Sequence, residues 1–396
     1  MSDTLLQKLM YSAVSTFICC GLIFIYSSLY KKGKKIHVED VIVCILLIAI
    51  SSLRYGVGSD YFTYLQSAER WVRLFDSDFE SLFSIEVIQQ YSYEIGYKIL
   101  SVLSHRVSQS PYAVFWAVSI VTYIPLIIYC RKSTKDPRIA LGVYLLFGYW
   151  GISLNVIGQS IAMVLLLIAN QRMDRKKYIE GMLLTIAAIT FHTTALVAAI
   201  LLLLTRLSVV KNFLKPTKRN LLKMVLIGVI LKFSTEVFRN IFSQIDAFEK
   251  YSRYLSSGVS ELIARLYMML GAMIEGGLVI LILYMAIKKQ KQESNGNSKL
   301  TNLISIVMIG IPFNIIGISR ADWMWLSNRF AEYFFVFLVA LISEMIGSVE
   351  NVTERGVMAF NQNRIAFWLT LIIWHGIFAI VMFNNNMFVL DTYLFK

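Results

Sequence analysis

Charge is in short supply in this chain. Of its 396 residues, 16% are Asp, Glu, Lys or Arg, 57% are hydrophobic, and mean hydropathy is +0.62. Soluble domains carry about a quarter charged residues, so a soluble globular fold is excluded. Cysteine and histidine are rarer still, four of each. Cys19, Cys20 and Cys44 sit inside apolar runs and Cys130 at the end of one, which leaves no disulfide framework to expect. No Cys and His stand at zinc-finger spacing. Solenoid-type periods, low-complexity tracts and clear internal duplications are missing too.

What the chain has instead is apolar runs able to cross ~30 Å of hydrocarbon. They fall at about 11–30, 40–53, 111–130, 139–154, 156–170, 178–192, 193–205, 221–237, 263–287, 300–318, 329–348 and 365–383. The expected fold class is all-α: a polytopic helical membrane protein of about twelve transmembrane helices, forming one domain over residues 1–396.

The net charge of +13 is unevenly placed. Its basic clusters, "KKGKK" (31–35), "RKSTKDPR" (131–138), "RMDRKK" (172–177), "RLSVVKNFLKPTKRNLLK" (206–223) and "KKQK" (288–291), all fall on one side if the spans alternate. That side holds 24 of the 38 Lys and Arg but 9 of the 25 Asp and Glu. Lys and Arg are retained in cytoplasmic loops, so the excess is an orientation signal and not a nucleic-acid footprint. Both termini are expected outside, with the first span an uncleaved anchor.

On the outer side the connections are long and aromatic: 54–110, 238–262, the shorter 319–329, and the tail 384–396. Long ordered loops are usually functional, and these are expected to hold amphipathic helices lying at the surface. In 94–107, Ile95, Ile99, Val102, Leu103 and Val107 follow helical spacing. The stretch 178–205 is too long for one span, at ~42 Å, and both its ends carry basic clusters. It is expected to fold as a hairpin of two short helices with "FHTT" (191–194) at the turn.

Ionisable residues at helix ends facing one compartment are candidates for a site. The outer side supplies Arg54, Asp60, Glu94, Gln159, His192, Arg239, Arg253, Arg265, Glu275, Arg320, Asp322 and Arg329. Arginine's planar fork matches phosphate oxygens two at a time, so this set fits a phosphate or diphosphate held at a lipid surface. Some charges have a plainer reading. Arg70 and Arg73 can pair with Glu69 and Asp76 at the surface, Glu261 can pair with Arg265 along a helix, and Glu275 can be structural or functional. "RYGVGSDY" (54–61) is the most pointed stretch. Gly56 and Gly58 permit a sharp turn, after which "SDYF" starts a helix. Ser59 or Asp60 can be a simple cap there. Alternatively Arg54 and Asp60, flanked by Tyr61 and Tyr64, can grip a sugar phosphate.

"RYGVGSDYFTY" resembles the signature near the start of the EpsG-type exopolysaccharide polymerases, a branch of the Wzy-like oligosaccharide repeat-unit polymerases that also make O-antigen. "YEIGY" (93–97), "NVIGQSIA" (155–162), "RKKY" (175–178), "FHTTAL" (191–196) and "RFAEYF" (329–334) follow in that family's order, over roughly 50–340. One departure stands out: family members usually carry an arginine immediately before the glutamine of "NVIGQSIA", where this chain has Gly158.

The resemblance implies a fold similar to multi-span lipid-donor glycosyltransferases. It also implies chemistry on undecaprenyl-diphosphate-linked oligosaccharides at the outer face of a bacterial cytoplasmic membrane. Glycan would pass from its lipid diphosphate to the non-reducing end of an incoming lipid-linked unit. Arg54, Arg253, Arg320 and Arg329 would hold the diphosphate, and Asp60, or else His192, would be the general base. Tyr61, Tyr64, Glu94, Gln159 and Asp322 would contact sugar. Expected partners are the lipid-linked oligosaccharides, membrane lipid and a chain-length regulator. No cofactor or metal is expected, since the arginines can neutralise the diphosphate and the closest approach to an acidic DxD pair outside, "DSD" (76–78), reads as a solvated loop. A lipid-linked oligosaccharide flippase and an O-antigen ligase-type transferase are the rivals. An acyltransferase is disfavoured because His105 and His192 lack an acidic neighbour in sequence.

Overall fold

In the computed structural model of the chain, residues 2–58, 60–84, 94–233, 262–292, 297–319, 324–346 and 362–384 are described. Every regular element among them is helical. In chain order they are α1 (Ser2–Leu29), α2 (Val38–Ser52), α3 (Tyr61–Phe75), α4 (Ile95–Val107), α5 (Ala113–Ser133) and α6 (Pro137–Leu146). Next come α7 (Tyr149–Asn155), α8 (Ile157–Asp174), α9 (Tyr178–Phe191), α10 (Ala195–Leu204), α11 (Ser208–Phe213) and α12 (Lys218–Phe233). The last are α13 (Leu262–Gln292), α14 (Ser298–Ser319), α15 (Met324–Phe335), α16 (Leu338–Ile346) and α17 (Gln362–Asn384).

Among the described residues, four helical segments are long and apolar enough to cross a membrane: Leu9–Leu29, Ala113–Ser133, Met269–Gln292 and Ser298–Ile318. Shorter apolar helices are Pro137–Leu146, Tyr178–Phe191, Ala195–Leu204 and Ala366–Ile380. Two expected spans are not single helices. The run 139–154 breaks at Gly148, whose φ of 104° no continuing helix allows, into α6 and α7. The run 329–348 breaks between Phe335 and Leu338 into α15 and α16. The hairpin at 178–205 forms as expected, with α9 and α10 joined through His192–Thr194.

At the centre lies α8, buried along most of its length, with α5, α9 and α15 against it. Lipid tails are as apolar as leucine, so between such helices it is close packing that selects the partner. In α4 the regularly spaced apolar residues do not share one environment. Its buried side is Gly96, Tyr97, Lys98, Ser101, Val102 and Ser104, while Val107 is 90% exposed and Leu103 points outward as well. The apolar stripe does not choose the packed side. Small and hydroxylated residues do, with Ser101 and Ser104 returning their hydroxyl protons to carbonyls of their own helix.

The end of the bundle that carries the basic loops is tied by one buried cation. Arg131, at the end of α5, donates to Glu39 at 2.9 Å, to Asp40 at 2.9 Å and to the Lys31 carbonyl at 2.7 Å. Tyr26 donates to Asp40 as well. The cluster joins α1, α2 and α5, and every charge in it has a partner, the condition under which buried ions are tolerated.

Candidate functional site

At the opposite end of α2 the chain leaves Ser52 and turns through Gly56 (φ 68°) and Gly58 (φ 104°). A Cβ on Gly58 would lie 3.0 Å from the Leu154 carbonyl oxygen and 3.3 Å from Asn155 Oδ1, so glycine lets the turn rest on the end of α7. There the Asp60 amide donates to Asn155 Oδ1 at 3.3 Å. Asp60 holds the N-cap position of α3, yet its side chain makes no capping hydrogen bond. Simple capping therefore does not account for its carboxylate.

Arg54 is drawn into the protein, at 4% exposure. Its Nη1 donates to the Ser51 carbonyl at 3.0 Å, and its guanidinium lies 5.0 Å from the Phe115 ring centroid and 5.9 Å from that of Tyr61. Tyr61 in turn stacks on Phe115 at 4.6 Å. Burial, together with Tyr112, pushes the Tyr61 hydroxyl up to about 12 against the opposing pull of Arg54. One face of Tyr61 is thus spent on holding Arg54 in place.

Tyr64, one turn further along α3, lies at the meeting point of the other candidates. Its hydroxyl is held well above the usual tyrosine range, by burial first and then by the charges of Glu94 and Asp60, with Arg329 opposing. Those three side chains come from the 54–60 turn, the start of α4 and α15, and all act on one phenol. Tyr97 donates to the Tyr64 carbonyl at 2.8 Å and packs edge-on against its ring.

Next to Glu94 stands His192. Its Nδ1 lies 2.9 Å from Glu94 Oε1, and the imidazole is buried while the carboxylate is a quarter exposed. Sequence distance hid this acidic partner, since 98 residues separate the two. Close backbone packing brings them together. A Cβ on Gly96 would meet the Phe191 ring at 3.0 Å, and one on Gly158 would lie 2.6 Å from the Phe191 carbonyl oxygen. The position where relatives of this type usually carry arginine is, in this chain, the contact that seats the end of α9 against α8.

Helix α15 closes the arrangement. Gln159, 1% exposed, donates from Nε2 to the Arg329 carbonyl at 2.8 Å. One turn on, Tyr333 and Thr194 share a hydroxyl hydrogen bond of 3.1 Å, which anchors the hairpin turn beside His192. Arg54, Asp60, Tyr61, Tyr64, Glu94, Gln159, His192 and Arg329 therefore cluster at one end of the bundle. Arg253, Arg320 and Asp322 lie outside the described residues. Asp76, half-exposed, takes an ion pair from Arg106 at 3.1 Å.

Sequence reasoning missed Glu332 as a partner of Glu275. The two carboxyls hydrogen-bond to each other, which requires a proton between them, and the Tyr149 phenol is within electrostatic reach. A signal was present: Glu332 stands three residues after Arg329, in the aromatic and apolar second half of its helix, "FAEYFF". Lys98 is a second buried charge at this end of the protein. It is 3% exposed, with Nζ 4.9 Å from the Trp71 ring centroid, and burial lowers its ammonium to about 8 although Glu94 opposes this. Among the described residues, no three His, Cys, Asp or Glu side chains converge as a metal ion would need.

Compared with curated proteins and with solved structures, the chain matches none. Its match is to a family model over residues 39–393, nearly the whole length, and by that match the chain belongs to the EpsG family.

Proposed function

We propose that this protein polymerises polyprenyl-diphosphate-linked oligosaccharide repeat units at the outer face of a bacterial cytoplasmic membrane, in a bundle of about twelve spans. EpsG membership supports a polysaccharide polymerase role in general. The charge asymmetry of the loops supports the orientation. The observation that carries the reaction is the His192–Glu94 pair at 2.9 Å beside Asp60, Tyr64 and Arg329.

In this reading, Glu94 orients the imidazole through Nδ1, so Nε2 takes the proton from the acceptor hydroxyl. The acceptor oxygen bonds to the anomeric carbon as the bond from that carbon to the diphosphate oxygen breaks. Polyprenyl diphosphate leaves with the electron pair, and Arg329 and Arg54 stabilise the charge it gains. Direct displacement inverts the anomeric centre. Asp60, first choice for the base on sequence grounds, becomes a sugar or hydroxyl ligand, because the imidazole already has its orienting carboxylate. Gln159 positions α15 and need not touch substrate.

The test is a reaction in which purified protein receives a lipid-linked repeat unit alone. A ladder of products supports a polymerase. A requirement for a second, different lipid acceptor supports a ligase, and transport without new glycosidic bonds supports a flippase. His192→Ala should leave single repeat units on the lipid; ladders of normal length from that variant would remove His192 from the chemistry.

A further inference from the structure

A cavity of about 400 Å³ opens between α1, the end of α2 and α7, within the range of about 300–1,000 Å³ usual for ligand pockets. Its walls are apolar, with Val14, Ile18, Ile50, Val57, Trp150 and Leu154 among them. The polar groups of that wall are engaged elsewhere: Ser15 with His375 at 2.9 Å, and the Trp150 indole N–H with Ser51 at 3.1 Å. The formal charge in its lining is Arg54. At its edge Leu53 is 64% exposed, and Phe17 and Ile45 on the same two helices also point outward. An apolar rim of that kind opens toward lipid rather than water.

The same turn serves both the cavity and the polar cluster. Arg54 and Val57 line the cavity, while Asp60 three residues later docks on Asn155, directly after the lining residue Leu154. A molecule reaching from one to the other needs an apolar chain, then an anion beside Arg54, then sugar near Asp60 and Tyr64. We infer that the cavity seats the first isoprene units of a polyprenyl diphosphate, with the diphosphate beside Arg54 and the attached sugar in the His192–Glu94 cluster. This assignment rests on the polymerase reading for its sugar end, but the tail site is testable without turnover. An ordinary phospholipid chain fits the apolar walls equally. It offers no sugar to the cluster, and charge complementarity at the turn favours the diphosphate.

The probe is geranylgeranyl diphosphate carrying a diazirine at its far end, added to the full-length protein in phosphatidylethanolamine–phosphatidylglycerol nanodiscs. Photolabel is expected on peptides containing 11–18, 49–53 or 150–154, displaced by unlabelled geranylgeranyl diphosphate but not by inorganic diphosphate or excess phospholipid. Ala49→Trp, which fills the cavity from α2, should cut labelling about tenfold or more, since excluding two or three methylenes is worth that much. Arg54→Gln should weaken displacement by the diphosphate. Label outside these peptides, or label that phospholipid displaces as well as the prenyl diphosphate does, overturns the inference in the unmutated protein, whatever becomes of Ala49→Trp. The two readings fail separately. Site-specific label without ladder formation keeps the tail site and rejects the polymerase, while ladders with label elsewhere do the reverse.

Discussion

Replacing Gly158 with alanine tests whether the site depends on one backbone contact. The new Cβ would lie 2.6 Å from the Phe191 carbonyl oxygen, about 0.8 Å inside ordinary van der Waals contact. Neither partner is the loose end of a side chain, so α8 and the end of α9 must part by roughly that distance. Forcing a methyl group into a packed contact costs about 1–3 kcal/mol. The displacement falls on the two neighbours that matter most. Gln159 follows Gly158 and holds the Arg329 carbonyl, while His192 follows Phe191 and holds Glu94. Misplacing catalytic groups by ~1 Å costs up to about 10²-fold, so Gly158→Ala should lower ladder formation by about 10- to 100-fold. Stability is read separately with a thiol-reactive dye that reports exposure of the buried Cys19, Cys44 and Cys130 on heating, and its midpoint should fall. Gly158→Arg, which restores the residue usual in polymerases of this type, should do worse. Ladder formation and melting unchanged in Gly158→Ala would refute the close approach and, with it, this account of how His192 is placed.

Three further perturbations follow from the contacts. His192→Gln should reduce polymerisation by about 10²–10⁴-fold, the usual contribution of a general base; Glu94→Gln should cost less, and the double variant should be no worse than His192→Gln if the pair acts as one unit. Lys98 gives up its proton near pH 8 when folded and near 10.5 when not, so the unfolded chain binds more protons between those values and stability should rise across that window. Lys98→Met should raise the melting midpoint at pH 7 and flatten that pH dependence; an unchanged slope would reject Lys98 as its source. Arg131→Met leaves Glu39 and Asp40 buried without their cation, a loss of about 3–5 kcal/mol, visible as a lowered midpoint and poor membrane yield, whereas a wild-type midpoint would mean the cluster is not buried as described.

Much of this protein is written locally. Apolar run length makes helices, and the hairpin at "FHTT" follows because 178–205 is too long for one crossing and too short for two ordinary ones. The turn at "RYGVGSDY" follows from two glycines, both at positive φ. Such features depend on a residue and its near neighbours, so a pattern along the chain suffices. The break at Gly148 is harder to see, because the run 139–154 is apolar throughout except for one serine and a residue without a side chain gives no warning in hydropathy. The face of α4 shows the same limit: where lipid and protein interior are both apolar, a hydrophobic stripe cannot say which side is packed.

Tertiary structure alone decided the chemistry of the cluster. Nothing near His192 in sequence announces Glu94, and nothing near Glu275 announces Glu332, because each pair is brought together by helix contacts among residues far apart in the chain. Hydropathy and charge act residue by residue, so apolar run length and the placement of Lys and Arg already call for helices, long apolar segments and a basic set of loops in this chain. Which of its polar residues meet depended on how closely two backbones can approach, and that is a property of pairs of helices rather than of any stretch of sequence.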